Sequence, residues 1–146
     1  MISPGDRVKH YKVLELLGKG GMGEVFLAQD TVLDRKVAIK FLPEEMQKDE
    51  SARVRLLREA KAAASLDHPF ICKIYETGEI KGTVFIVMEY IEGQNLQERI
   101  KTGVLPLRDS VQMALEIAEA LEDAHEKGIV HRDLKPLTSL SLQKGM

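Results

Sequence analysis

The sequence predicts an α+β chain, with a five-stranded antiparallel sheet carrying one helix and only helices after it. Three observations predict this class. Five β-prone apolar runs fill the first part of the chain, separated by breaks that carry glycine, aspartate or proline. Between the third and fourth runs, a stretch opening near Ser51 and stopped by Asp67-His68-Pro69 takes up helical spacing. From Gln94 onward the period is helical.

Tyr11 to Leu17 reads as the first strand, with Tyr11, Val13 and Glu15 on one face. The run from Gly18 to Gly23 interrupts it, and Glu24 to Ala28 restarts an extended segment, so the pair forms a hairpin whose connection is mostly glycine. Asp30 to Asp34 is a turn and Arg35 to Phe41 the third strand. Alternation there sets Val37 and Ile39 on one face and Ala38 and Lys40 on the other. Pro43 ends that strand and Glu44 to Glu50 is a charged connection. The following helix has Asp49 or Ser51 as its N-cap, with Leu56, Ala60, Ala63 and Ala64 marking its packed side. Ile71 to Glu76 and Thr83 to Met88 are the last two strands, around a turn at Gly78 to Gly82. Ile91-Glu92-Gly93-Gln94 reads as a hinge. Asn95 to Lys101 is a short helix closed by Gly103. Leu107 to Lys127 is a long one, whose stripe of Val111, Ala114, Leu115, Ala118, Leu121 and His125 has the spacing of a packed face. Gly128 suits the position just past its end.

Composition narrows the function classes. The 146 residues are 44% hydrophobic and 30% charged, the balance of a globular protein rather than a disordered one. A net charge of −2 gives no basic surplus for a nucleic-acid partner. The single cysteine, Cys72, rules out an internal disulfide and suits a reducing compartment. Charged residues from Asp6 to Lys12 interrupt any signal-peptide core, and no run is long enough to span a membrane. The expected location is cytoplasmic.

Lys40 organises the chemistry. A lysine turned inward beside a small alanine must meet an anion, because burying an unpaired ammonium is costly. The plain alternative is an edge-strand lysine with its head in water. If an anion is met, it is either a phosphate held by the glycines upstream or a carboxylate on the helix downstream. Gly18-x-Gly20-x-x-Gly23 can simply turn a hairpin, or it can bring backbone N–H groups close to phosphate oxygens. A dinucleotide fingerprint would need a helix directly after the glycines, and a P-loop would need Lys-Ser or Lys-Thr; Glu24-Val25-Phe26 supplies neither. A glycine flap over a nucleotide survives. Glu59 is either a solvated helix residue four positions after Arg55 or the partner of Lys40. In His131-Arg132-Asp133-Leu134-Lys135-Pro136 the alternatives are a polar loop, or an aspartate that accepts a hydroxyl proton beside a lysine that steadies a phosphoryl group.

Together these motifs resemble the first half of a protein kinase catalytic domain of the serine/threonine type, similar to bacterial kinases of the eukaryotic-like class. The resemblance runs from Tyr11 to Pro136: Leu17-Gly18-Lys19-Gly20-Gly21-Met22-Gly23-Glu24-Val25 for the glycine-rich loop, Val37-Ala38-Ile39-Lys40 for the strand lysine, Glu59 for the helical glutamate, and His131 to Pro136 for the catalytic loop. It implies a kinase N-lobe over 11–91, the start of a helical C-lobe over 92–136, an N-terminal extension over 1–10 and an unassigned tail over 137–146. It further implies ATP as ligand and a protein serine or threonine hydroxyl as acceptor. In that scheme Leu17, Val25 and Ala38 enclose the adenine, Met88 stands behind it, and backbone groups of Glu89 and Ile91 bond its edge. Lys40, held by Glu59, contacts the α- and β-phosphates, Asp133 accepts the hydroxyl proton, and Lys135 lies by the transferred phosphate.

The resemblance stops after Pro136. Thr138 stands where the family has a magnesium-binding asparagine, and the Asp-Phe-Gly triplet and activation segment do not occur in these residues. Mg2+ is expected for the family, yet its protein ligands are absent from this sequence, so the expectation is an ATP pocket with little or no transfer activity. A truncated or frame-shifted reading frame would account for the tail. The alternatives are a non-catalytic module that binds nucleotide or a partner, and a gene remnant. Self-association through the exposed long helix is also expected.

Overall fold

The computed structural model describes residues 2–20, 23–129 and, as backbone, 141–142. The chain divides into two compact units, one of Met1–Ser65 with Lys73–Tyr90 and one of Leu66–Cys72 with Ile91–Met146.

The first unit contains an antiparallel sheet of six strands: β1 (Arg7–Val8), β2 (Tyr11–Gly20), β3 (Gly23–Asp30), β4 (Arg35–Phe41), β5 (Ile74–Ile80) and β6 (Thr83–Glu89). Their order is β1-β2-β3-β4-β6-β5. The expected five strands are all present, and β1 is added at the edge by the pairs Arg7↔Lys12 and Val8↔Tyr11. Two residues are too few for alternation to betray a strand. The glycine run is not a break either: β2 continues to Gly20, with Gly18↔Val25, Lys19↔Glu24 and Gly20↔Gly23 in register. Register shifts between Val13 and Glu15 and between Leu16 and Gly18 turn Glu15 out to solvent, against the face expected for it. The fourth expected strand begins at Ile74 rather than Ile71, whose N–H instead closes a turn on the His68 carbonyl at 3.1 Å.

One face of the sheet holds the core. Val8, Tyr11, Val13, Phe26, Ala28, Val37, Ile39, Phe41, Phe85 and Val87 are buried there as one cluster. Phe26 meets Phe41 edge-on, with ring centroids 5.7 Å apart. Tyr11 extends from this core to donate its hydroxyl to Glu76 at 2.5 Å, which ties β2 to the far edge strand. Burial first, and then this bond to an anionic acceptor, push the phenol pKa well up. The β3–β4 turn is held by Asp30, whose Oδ1 accepts the N–H groups of Val32 and Leu33 at 2.9 Å each. Burial would raise its pKa, but those two donors, with His10 and Arg35 beside it, outweigh burial and hold the carboxyl below 3.8.

Two helices belong to this unit. The charged connection after Pro43 contains a short helix, α1 (Glu44–Gln47), which the sequence reading did not anticipate. Tertiary bonds fix it: Gln47 donates to the Leu42 carbonyl at 2.9 Å and accepts from the Thr83 hydroxyl at 3.1 Å. The helix α2 (Glu50–Ala64) follows, capped by Asp49, which accepts the Ala52 N–H. It packs against β5, with Ala60 buried and Leu56 and Ala63 half-buried; Ala64 faces solvent.

In the second unit β7 (Gln94–Asn95) pairs with β8 (Ser141–Leu142). Asn95 caps α3 (Leu96–Lys101) in a reciprocal box with Glu98. The long helix is α4 (Leu107–Glu126), after which Gly128 takes φ +76. No residue of α4 is buried, and Leu107, Val111 and Leu115 are exposed. The stripe legible in the sequence is therefore an apolar face left uncovered by the described residues. No helix among the described residues is long and apolar enough to cross a membrane.

Candidate functional site

The sheet face opposite the core carries the candidate site, and strand register places its members. Residues directly opposite one another in an antiparallel ladder project to the same side. One row crosses five strands as Gly18, Val25, Lys40, Ile86 and Thr77. The neighbouring row on this face runs Glu15, Leu27, Ala38, Met88 and Ile74. Two residues of strand separate the rows, about 7 Å. The middle of each row is apolar, apart from a single cation in the first; Thr77 ends that row on β5, and Glu15 ends the second on β2.

That cation is Lys40, half-buried in β4. Burial holds its pKa below the ordinary lysine value of 10.5, and it forms no ion pair with any described residue. Of the two anions that could satisfy it, the carboxylate is not in place. Glu59 is exposed on α2 and does not pair with Lys40. The expected Lys40–Glu59 contact is therefore open in this structure, and no described residue supplies Lys40 with a paired anion.

The glycines divide into two kinds. Gly23 has φ +110, and a Cβ there would fall 2.0 Å from the Phe41 carbonyl oxygen, so the fold itself requires glycine. At Gly18 and Gly20 a Cβ would meet nothing within 4 Å. Nothing in the described protein demands glycine at these two positions, and they lie on the arm that carries the Lys40 row. Lys19 and Glu24 close the hairpin above them by an ion pair at 3.2 Å. Leu17, at the bulge, is exposed, while Val25, Met88, Glu89 and Ile91 are half-buried. The Glu89 N–H is bonded to the Lys73 carbonyl at 2.8 Å. Gly21, Met22, Asp133 and Lys135 lie outside the described residues.

A shallow concavity on α4, lined by Ala118, Leu121, Glu122, His125 and Glu126, includes none of the site residues named from the sequence. Among the described residues no group of three or more His, Cys, Asp or Glu side chains could hold a metal.

The comparisons with known proteins agree with this architecture. The protein kinase domain family matches residues 11–145. The chain belongs to the protein kinase family, in its serine/threonine branch, and corresponds to the N-terminal part of the catalytic domain. Among its relatives, it is 44% identical over 134 residues to the serine/threonine-protein kinase PrkC of Bacillus subtilis, covering 90% of this chain and 21% of that protein. It is 37% identical over 139 residues to PknJ of Mycobacterium tuberculosis, covering 95% of this chain and 24% of that protein. The crystal structure of the PknI kinase domain of Mycobacterium tuberculosis superposes with a TM-score of 0.85 at 32% identity, covering 99% of this chain and 59% of that one. The chain thus spans about a quarter or less of these curated relatives and about three-fifths of the solved kinase domain.

Proposed function

We propose that the first unit binds ATP on the face that carries Lys40. In a longer protein containing it, this unit would present the nucleotide for transfer of its γ-phosphoryl group to a protein serine or threonine. The observation that carries the reading is a desolvated ammonium with no counter-ion among the described residues, in register with an open glycine and beside the apolar Leu27, Ala38 and Met88. The nucleotide supplies both missing parts. Its base is an apolar plate that suits Leu17, Val25, Ala38 and Met88, with backbone groups of Glu89 and Ile91 at its edge. Its phosphates are the anion that no described residue gives Lys40, and Gly18 and Gly20 leave their backbone N–H groups open to close approach. In the family's scheme Asp133 takes the proton from the acceptor hydroxyl and Lys135 steadies the transferred group. For these 146 residues the reading is limited to nucleotide binding, since they contain no Asp-Phe-Gly triplet.

Thermal denaturation of the purified chain with increasing ATP tests this. A saturable rise in Tm is expected, about 2.7 kcal/mol of added stability at a hundredfold excess over Kd. An unchanged Tm in folded protein would remove the reading.

A second element of the proposal concerns α4. Its exposed Leu107, Val111 and Leu115 favour contact with a second copy through that face. Sedimentation at increasing concentration should show a dimer that Leu115→Glu weakens, whereas a monomer throughout would remove it.

A further inference from the structure

At one end of the sheet two turns sit side by side. Lys9 and His10 join β1 to β2, and Thr31 to Asp34 join β3 to β4. Thr31 ties them together, its N–H and its hydroxyl both donating to the His10 carbonyl, at 3.1 and 2.6 Å. Asp30, buried at the base, fixes the second turn through the N–H groups of Val32 and Leu33. With the backbone held in this way, those two apolar side chains stay in water, 70% and 61% exposed. One pair in from the turn, at Gln29↔Lys36, a row crosses four strands as Arg7, Lys12, Gln29 and Lys36. The cations at this end divide by partner. Lys9 pairs with Glu76 and Arg35 with Asp30. Arg7, Lys12 and Lys36 are exposed and form no ion pair with any described residue. Two carboxylates border the row: Asp34 accepts from the Gln29 amide at 3.3 Å, and Asp6 accepts the Ser3 N–H at 2.9 Å.

We propose that this end of the sheet docks on an anionic lipid surface, with Val32 and Leu33 entering the headgroup boundary and Arg7, Lys12 and Lys36 lying against the lipid phosphates. Apolar residues come foremost and unpaired cations one step behind, which is the order of a bilayer met from the hydrocarbon outward. A second copy apposed on the same patch would set its cations against one another. The proposal does not rest on the nucleotide reading, because Lys36 lies four residues of strand from Lys40, about 13 Å.

Co-sedimentation of the full chain with vesicles tests this, using phosphatidylcholine alone and phosphatidylcholine with phosphatidylserine in equal parts. Binding is expected to the mixed vesicles and not to the neutral ones, and it should weaken as salt rises. Lys12→Gln and Lys36→Gln should each weaken it about fivefold, the effect of one cation near such a surface. Asp34→Asn should strengthen it, by removing a bordering negative charge. Val32→Ser with Leu33→Ser should weaken it at every salt concentration, since an apolar contact is not screened. All five positions are exposed, so these variants should keep the Tm of the parent.

No binding to the mixed vesicles, or equal binding to both kinds, would overturn the proposal. So would binding that these substitutions leave unchanged and Leu115→Glu on α4 abolishes, which would assign the contact to that helix. Self-association lost in Val32→Ser with Leu33→Ser, in a chain that binds no vesicle, would give the patch to a second copy and overturn it as well.

Discussion

Lys40→Met is expected to lower ATP affinity by about ten- to a hundredfold, the loss of a charge-assisted contact of about 1.5–3 kcal/mol. It is also expected to raise the Tm of the ligand-free protein. The two effects have opposite signs for one reason. Lys40 is half-buried with no partner among the described residues, so its charge costs the empty fold something and repays it only when an anion arrives. A methionine fills similar volume without that cost. The same residue sets a pH dependence. Its folded pKa lies below the unfolded value of 10.5, so the unfolded chain holds the proton more tightly. The penalty is fully present below the folded value and disappears as pH rises from there to 10.5, so the empty fold gains stability over that window. Nucleotide affinity falls over the same rise, because a neutral amine does not hold phosphate. Both slopes should vanish in Lys40→Met. Wild-type and variant titrations that coincide would take Lys40 out of the account.

Gly23→Ala is expected to have the largest effect on the fold, about 2–4 kcal/mol, or roughly 5–10 °C in Tm. The φ of +110 is strained for any L side chain, and the added methyl would collide with the backbone oxygen of Phe41, which cannot swing away as a flexible side chain can. Relief requires β3 to move off β4 at its first residues, where Glu24 pairs with Phe41 and Val25 with Lys40. The variant therefore loses stability and displaces the Lys40 row together. Gly18→Ala and Gly20→Ala should leave Tm within about 1 kcal/mol of wild type, since nothing crowds either position. Their effect should fall on ATP binding. Equal destabilisation at all three glycines would show that the loop is only a turn.

The sheet was legible because its strands are long enough to alternate. Val37 and Ile39 are fully buried on the core face, while Ala38 and Lys40 share the other, as the sequence pattern required. The helices α2, α3 and α4 announced themselves by spacing, by Asp49 as a cap and by Gly128 after the last, whereas Asn95, read as the first residue of α3, is its cap. What escaped was set by contacts distant in sequence. β1 exists through its pairing with β2, and α1 through Gln47 bridging Leu42 and Thr83. The candidate site was half legible in the same way. The sequence located Lys40, Glu59 and the glycines, and the register then put Gly18 and Lys40 in one row. It could not give the ion pair between Arg53 of α2 and Glu79 of β5, which no local pattern marks. Nor could it separate Gly23, which the fold requires, from Gly18 and Gly20, which it does not.

The most direct test is calorimetric titration with ATP, and with adenosine in parallel, near the lowered pKa of Lys40, in two buffers of different ionisation enthalpy. ATP should give saturable heat with net proton uptake, because a phosphate beside Lys40 raises its pKa back toward 10.5. Adenosine, or ATP with Lys40→Met, should give neither proton uptake nor comparable affinity. ATP heat without proton uptake, or equal affinity for adenosine, would contradict the account.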